Sequence, residues 1–274
     1  VNIHEGDRMN VYALLSAERS IEQPLAVVRA ALGEHKPRLE APRYFSALKR
    51  ALWEEAPPFA TELYANLYRT AAASGQWLAM SLMTDAEREA AAAKHLWSLA
   101  ARTDNEGERH LLKRHACDEA NHTRTYLTLL DLSFPGAIAP PFRSELDQLS
   151  PQFSMEKEFA GEGSRCATTP SLDDYIEMNL AEIRKTIRDL MRREALAAHC
   201  PTERMAQITE LLNSLLRDEL NHVAYTAMQI ERKTDACQPN ELQAEFCKRL
   251  RNFNRVMSEE PIEYSYNQRF GNYP

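Results

Sequence analysis

Apolar side chains along this chain recur every three or four positions, not every second one, so the elements it encodes are helices. One stripe runs Leu211/Leu212, Leu215/Leu216, Glu219, His222/Val223, Thr226 and Ile230. Another runs Leu111/Leu112, His115, Glu119, His122, Tyr126 and Leu129/Leu130. A third, Leu242, Phe246, Leu250, Phe253 and Met257, predicts an amphipathic helix over Asn240–Glu259.

The remaining pattern predicts short helices at Asn10–Ala17, Pro24–Leu32 and Arg43–Glu55, the last stopped by Pro57-Pro58. A helix over 59–83 follows. Thr84-Asp85-Ala86-Glu87 has the form of a capping box and predicts a fresh start or a bend there, with helix continuing to about Arg102. After a turn at 104–107, the next helix ends near Leu132. Pro135-Gly136, Pro140-Pro141, Pro151 and Gly161-Glu162-Gly163 make 133–170 a long connection. Ser171 and Asp174 then cap a helix to about Ala198. A turn at 199–202 leads into a helix over about 203–232, and the tail after Pro261 reads as surface.

The order is hairpin, long crossover, hairpin. That is the connectivity of an all-α, ferritin-like four-helix bundle, here with extra N- and C-terminal helices. We expect a single helical domain: an N-terminal layer over 1–58, a bundle core over 84–232, and a C-terminal helix and tail over 240–274.

Composition agrees and adds exclusions. A chain of 274 residues, 44% hydrophobic, can bury a full core, and eight glycines leave little for tight strand corners. A net charge of -7 argues against nucleic-acid binding, and Lys248-Arg249-Leu250-Arg251 reads as a solvated helix face. Five cysteines without a Cys-x-x-Cys pair suggest reduced thiols and a cytoplasmic chain. There is no signal-peptide pattern and no apolar run near the roughly 18 residues of a membrane span.

The chemistry lies in a repeat. Asp118-Glu119-Ala120-Asn121-His122 returns as Asp218-Glu219-Leu220-Asn221-His222. In each copy a Glu and a His three positions apart share one helix face and can hold one metal ion. Chance alone yields roughly one Glu-x-x-His in such a chain, but not the shared Asp and Asn. Both Glu and both His interrupt apolar stripes, and buried carboxylates are costly unless paired or metal-bound.

Two metals also require a carboxylate from each of the other two helices. Reflecting Glu119 through a turn near residue 105 lands near 91, which selects Glu89 over Glu87, with Glu62 as fallback. Reflecting Glu219 through a turn near 201 selects Glu182 over the solvated Glu177. Asp118 and Asp218 can each accept the free N–H of a ligand histidine on a neighbouring helix. His115, one turn before Glu119, could be a seventh ligand, a partner to a ligand, or a core histidine. His95 reads as packing.

These residues resemble the ferritin-like di-iron carboxylate superfamily over about 84–232. Arg217–His222 is similar to the Arg-Asp-Glu-x-x-His stretch of ribonucleotide reductase small subunits and p-aminobenzoate N-oxygenases. His115–His122 resembles the N-oxygenase pattern more closely, where an extra histidine precedes one Glu-x-x-His by four residues. In that family it stands on the last bundle helix; here it is on the second. Haem-oxygenase-like oxidases fit less well, because position 215 is Leu.

The resemblance implies two iron ions, or a manganese–iron pair, that activate O2 to oxidise a small organic substrate, with N-oxygenation of an amine the narrowest expectation. An external electron donor, a ferredoxin or a reductase, is implied, and a homodimer is the default assembly. The alternatives are iron oxidation or peroxide detoxification of the ferritin type, and a radical-generating dimetal subunit, for which Tyr126 is suitably placed.

Overall fold

The computed structural model describes residues 20–33, 38–136, 170–234, 240–252 and 254. Helix is the regular structure throughout them, and none forms a strand. The helices are α1 (Glu22–Gly33), α2 (Pro42–Glu54), α3 (Glu62–Ala72), α4 (Gly75–Ala101), α5 (Glu106–Ser133), α6 (Leu172–His199) and α7 (Met205–Lys233). An eighth, α8, covers 240–252. The protein is an all-α helical bundle. The helix expected at Asn10–Ala17, most of the 133–170 connection, Phe253, Met257 and the tail lie outside the described residues.

One boundary differs from the sequence expectation. No helix starts at Thr84; α4 runs unbroken through it. The break falls earlier, where Ser74 Oγ accepts the Trp77 backbone N–H at 3.3 Å and caps the orphaned first turn of α4. Thr84, the would-be cap, is mid-helix and exposed, and its neighbour Asp85 is buried and engaged by Arg192.

The chain divides into two compact units. The first takes its described residues from Val1–Ala71, Leu172–Met191 and Glu219–Pro274, and the second from Ala72–Ser171 and Arg192–Asp218. Both α6 and α7 therefore contribute to each.

In the first unit Leu25, Leu48, Leu52, Tyr175, Ile183, Phe246 and Leu250 are buried. The Tyr44 ring meets Phe246 edge-on at 5.8 Å, and its hydroxyl donates to Asn179 Oδ1 at 2.7 Å. Burial pushes the Tyr44 phenol far above its ordinary range, so it stays a donor. Asn179 Nδ2 donates in turn to Val223 O at 3.1 Å and Thr226 Oγ1 at 2.9 Å, which joins α6 to α7. No side chain of α2's own N-cap serves its first turn. Glu231 of α7 does: its carboxylate accepts the Tyr44 N–H at 2.7 Å and the Arg43 Nε–H at 2.9 Å. Arg249 of α8 ties that helix to α6 through Asp173 and Glu177.

The second unit packs α4 and α5 as an antiparallel hairpin with the end of α6 and the start of α7. Asn105 Oδ1 caps α5 by accepting the Glu108 N–H at 2.9 Å. Gly75 is closely approached: a Cβ there would lie 3.3 Å from Phe134 Cε1 and 3.5 Å from His199 Nδ1. His199 Nε2 donates to Ala72 O at 2.8 Å. At the centre Arg192, with no exposed surface, pairs with Asp85 and stands 4.8 Å over the ring of buried Tyr126.

Candidate metal centre

In the second unit, Glu89 of α4 and Glu119 and His122 of α5 are all buried, and one donor atom from each lies within 4.8 Å of the others. His122 Nδ1 is 4.0 Å from Glu89 Oε2 and 3.8 Å from Glu119 Oε1. Its other nitrogen, Nε2, lies 3.4 Å from Asp218 Oδ2 on α7. Asp218 can act only as acceptor, so it places the ring proton on Nε2 and turns the Nδ1 lone pair toward the two glutamates.

A lone pair and two carboxylates facing one point repel unless a cation sits among them. The distances also suit one ion. Two donors each about 2.1 Å from a metal, at angles between tetrahedral and wide, are roughly 3.4–4.0 Å apart. His115 is buried against Glu119, donating from Nε2 to Oε1 at 3.0 Å.

In the first unit the second motif's histidine also faces two glutamates. His222 Nδ1 is 3.6 Å from Glu182 Oε2 on α6 and 3.7 Å from Glu219 Oε2 on its own helix. All three residues are buried. In both units, then, the motif histidine turns Nδ1 to the glutamate one turn back and to a second glutamate on the antiparallel neighbour. Such buried His/Glu groups can hold metal ions. The donor set, hard carboxylates with one imidazole, suits iron, manganese or zinc.

The remaining candidates sort by exposure. Glu87 and Glu62 are exposed, and Glu62 pairs with Arg69 at 3.0 Å. Glu177 is exposed on the Arg249 side of α6. Asp118 is half-buried. His95, expected to pack, is exposed.

Two features escaped the sequence reading. Lys185, with a side chain only 11% exposed, places Nζ 2.9 Å from Glu219 Oε1. Its signal was the three-residue spacing from Glu182, which puts both on one face of α6. The Asp85–Arg192 pair brings a buried guanidinium within one helical turn of the triad's helix positions, since Asp85 precedes Glu89 by four residues.

No known protein-family model matches the chain, and neither a curated protein nor a solved structure does. Among the described residues no helix is long and apolar enough to cross a membrane.

Proposed function

We propose that the protein is a non-haem di-iron enzyme that uses O2 to oxidise a small organic substrate, with an amine nitrogen as the favoured target. The observation that carries the reading is the twofold occurrence of a buried Glu/Glu/His triad, each made from a Glu-x-x-His helix and its antiparallel neighbour. Two ferrous ions, one per triad, would supply the electrons that O2 needs to become reactive. Glu89, Glu119 and His122 would hold one ion; Glu182, Glu219 and His222 would hold the other. Asp218 fixes the His122 tautomer and ring angle. His115 braces Glu119 and limits its freedom to swing between ligation modes. This extra imidazole beside a ligand is the observation favouring nitrogen as the target. An external one-electron donor would supply the reducing equivalents that each turnover consumes.

A radical-generating subunit is the second reading, favoured by Tyr126, which is buried one turn past His122 beneath the Arg192 guanidinium.

The test is metal content on protein grown in iron-supplemented medium, followed by rapid mixing of the ferrous form with O2. Two irons per chain and a transient visible absorption, quickened in its decay by an aryl or alkyl amine, are expected. A stable tyrosyl signal that ignores substrate would favour the second reading. Ferrous iron that leaves the chain as ferric mineral would mark iron oxidation instead. Folded protein that takes up no iron under reconstitution overturns all three.

A further inference from the structure

We propose that Lys185 makes the two triads unequal, so that the chain loads its ions in order: the Glu89/Glu119/His122 triad first and tightly, the Glu182/Glu219/His222 triad second and weakly. This rests on the reading of both triads as metal sites.

In each triad the histidine Nδ1 lies 3.6–4.0 Å from two glutamates, but the surroundings differ. In the first unit the Lys185 ammonium lies 2.9 Å from Glu219 Oε1, with the two side chains 11% and 0% exposed. Little water screens that pair, and the carboxylate that must bind an ion already carries a cation. In the second unit the corresponding carboxylate, Glu119, accepts instead from an imidazole, His115 Nε2 at 3.0 Å. Asp218 adds a third carboxylate 3.4 Å from the far nitrogen of the ligand histidine. Of the two glutamates that flank His222 in the first unit, one is already paired with Lys185, whereas of the two that flank His122 in the second, Glu119 meets the His115 imidazole.

The repulsion between an ammonium and a divalent ion bound to one carboxylate is enough, at the dielectric response usual for protein sites, for more than a tenfold loss of affinity. Asp218 acts in the opposite sense, since a carboxylate behind a ligand histidine strengthens it as a donor. Both differences make the second unit's triad the tighter one. Lys185 is a positioning and tuning residue: it touches a ligand, not the reacting atoms. Its effect is to let one ion enter before the other, which is what a chain needs if its two positions are to be filled by different metals.

The experiment is a titration of the metal-free full-length chain with Mn2+, following free Mn2+ by its paramagnetic resonance at constant pH. Wild type is expected to show two binding classes at least tenfold apart. H122A should remove the tight class. K185M should tighten the weak class at least fivefold and leave the tight class unchanged, whereas K185R, which keeps the charge, should leave both classes in place. Thermal melts of each variant confirm that it is folded. The proposal is overturned if K185M leaves the weak class as it was, if K185R tightens it as much as K185M, or if H122A spares the tight class. A folded wild-type chain that binds no Mn2+ and no Fe2+ defeats the metal reading itself, and is distinguished from these by its lack of any class to compare.

Discussion

Breaking the buried Asp85–Arg192 pair in two different ways should give opposite answers, and the size of each follows from burial. Both side chains are withdrawn from solvent, at 1% and 0% exposure. Removing one partner from a buried ion pair typically costs about 3–5 kcal/mol, because the other is left in a medium that solvates it poorly. R192M belongs at the low end, about 3 kcal/mol, since Arg88 Nη1 remains 3.7 Å from the Asp85 carboxylate and reaches water. D85A belongs higher, about 4–5 kcal/mol. It leaves the guanidinium on the Tyr126 ring face, a contact worth about 2 kcal/mol when desolvated, in place of a carboxylate. The double variant D85L/R192M replaces the pair with apolar volume and should lie within about 1 kcal/mol of wild type, or above it.

Urea unfolding read by tryptophan fluorescence is the assay, in a W53F background. Trp53 belongs to the first unit and is 66% exposed, whereas Trp77 and Trp97 both lie on α4 and report the second. Single substitutions that each cost less than about 1 kcal/mol would refute the burial argument. A double variant as unstable as the sum of the singles would refute the assignment of the cost to stranded charge.

Three further outcomes are expected. Adding Mn2+ at a hundred times the weaker triad's dissociation constant should stabilise the chain by at least about 2.7 kcal/mol per triad and raise the melting midpoint by about 10 °C or more in total, against a chelated control; equal midpoints would contradict metal binding. The Arg249 guanidinium beside Asp173 holds its carboxyl below the usual carboxylate range. The pair's contribution, about 1 kcal/mol or less at a partly exposed site, is full above the ordinary carboxylate value and lost as pH falls through the lowered one. Pepsin cleavage within α8 should therefore rise only in strong acid, and D173N should show it at milder pH. Burial, then the hydrogen bond to Glu54, push the Cys247 thiol up to about 11, so iodoacetamide at pH 8 should label it far more slowly than a free thiol. E54Q should speed that labelling, and no change would remove Glu54 from the account.

The helices were legible because their apolar spacing is local, and both motif pairs were legible because they break an apolar stripe. Glu89 and Glu182 were reachable by counting across turns, since antiparallel neighbours at equal distance from a turn must face each other. What was not legible depends on partners far along the chain. Thr84 and Glu87 fit a capping box locally, but Asp85 between them is claimed by Arg192, 107 residues away. The actual break is signalled weakly, by Ser74 before a glycine that Phe134 and His199 approach closely. Lys185 was passed over because a lysine on a helix normally reaches water, and only the closeness of α7 turns it onto Glu219. Glu231, which caps α2 from 187 positions away in sequence, carries no local sign of that task.

Asn179 has a consequence for how unit-one ligands can move. Its amide accepts from Tyr44 of α2 and donates to both Val223 O and Thr226 Oγ1, so two bonds lock α6 against α7 and a third holds α2 to the same residue, one turn from Glu182 and His222. Sliding α6 past α7 by a single residue, about 1.5 Å, would break both of the bonds between them together. The backbone here behaves as a rigid jig. Any rearrangement at this triad, whether to admit an ion or to change how a carboxylate grips it, has to be made by side-chain torsions alone, in steps between staggered rotamers.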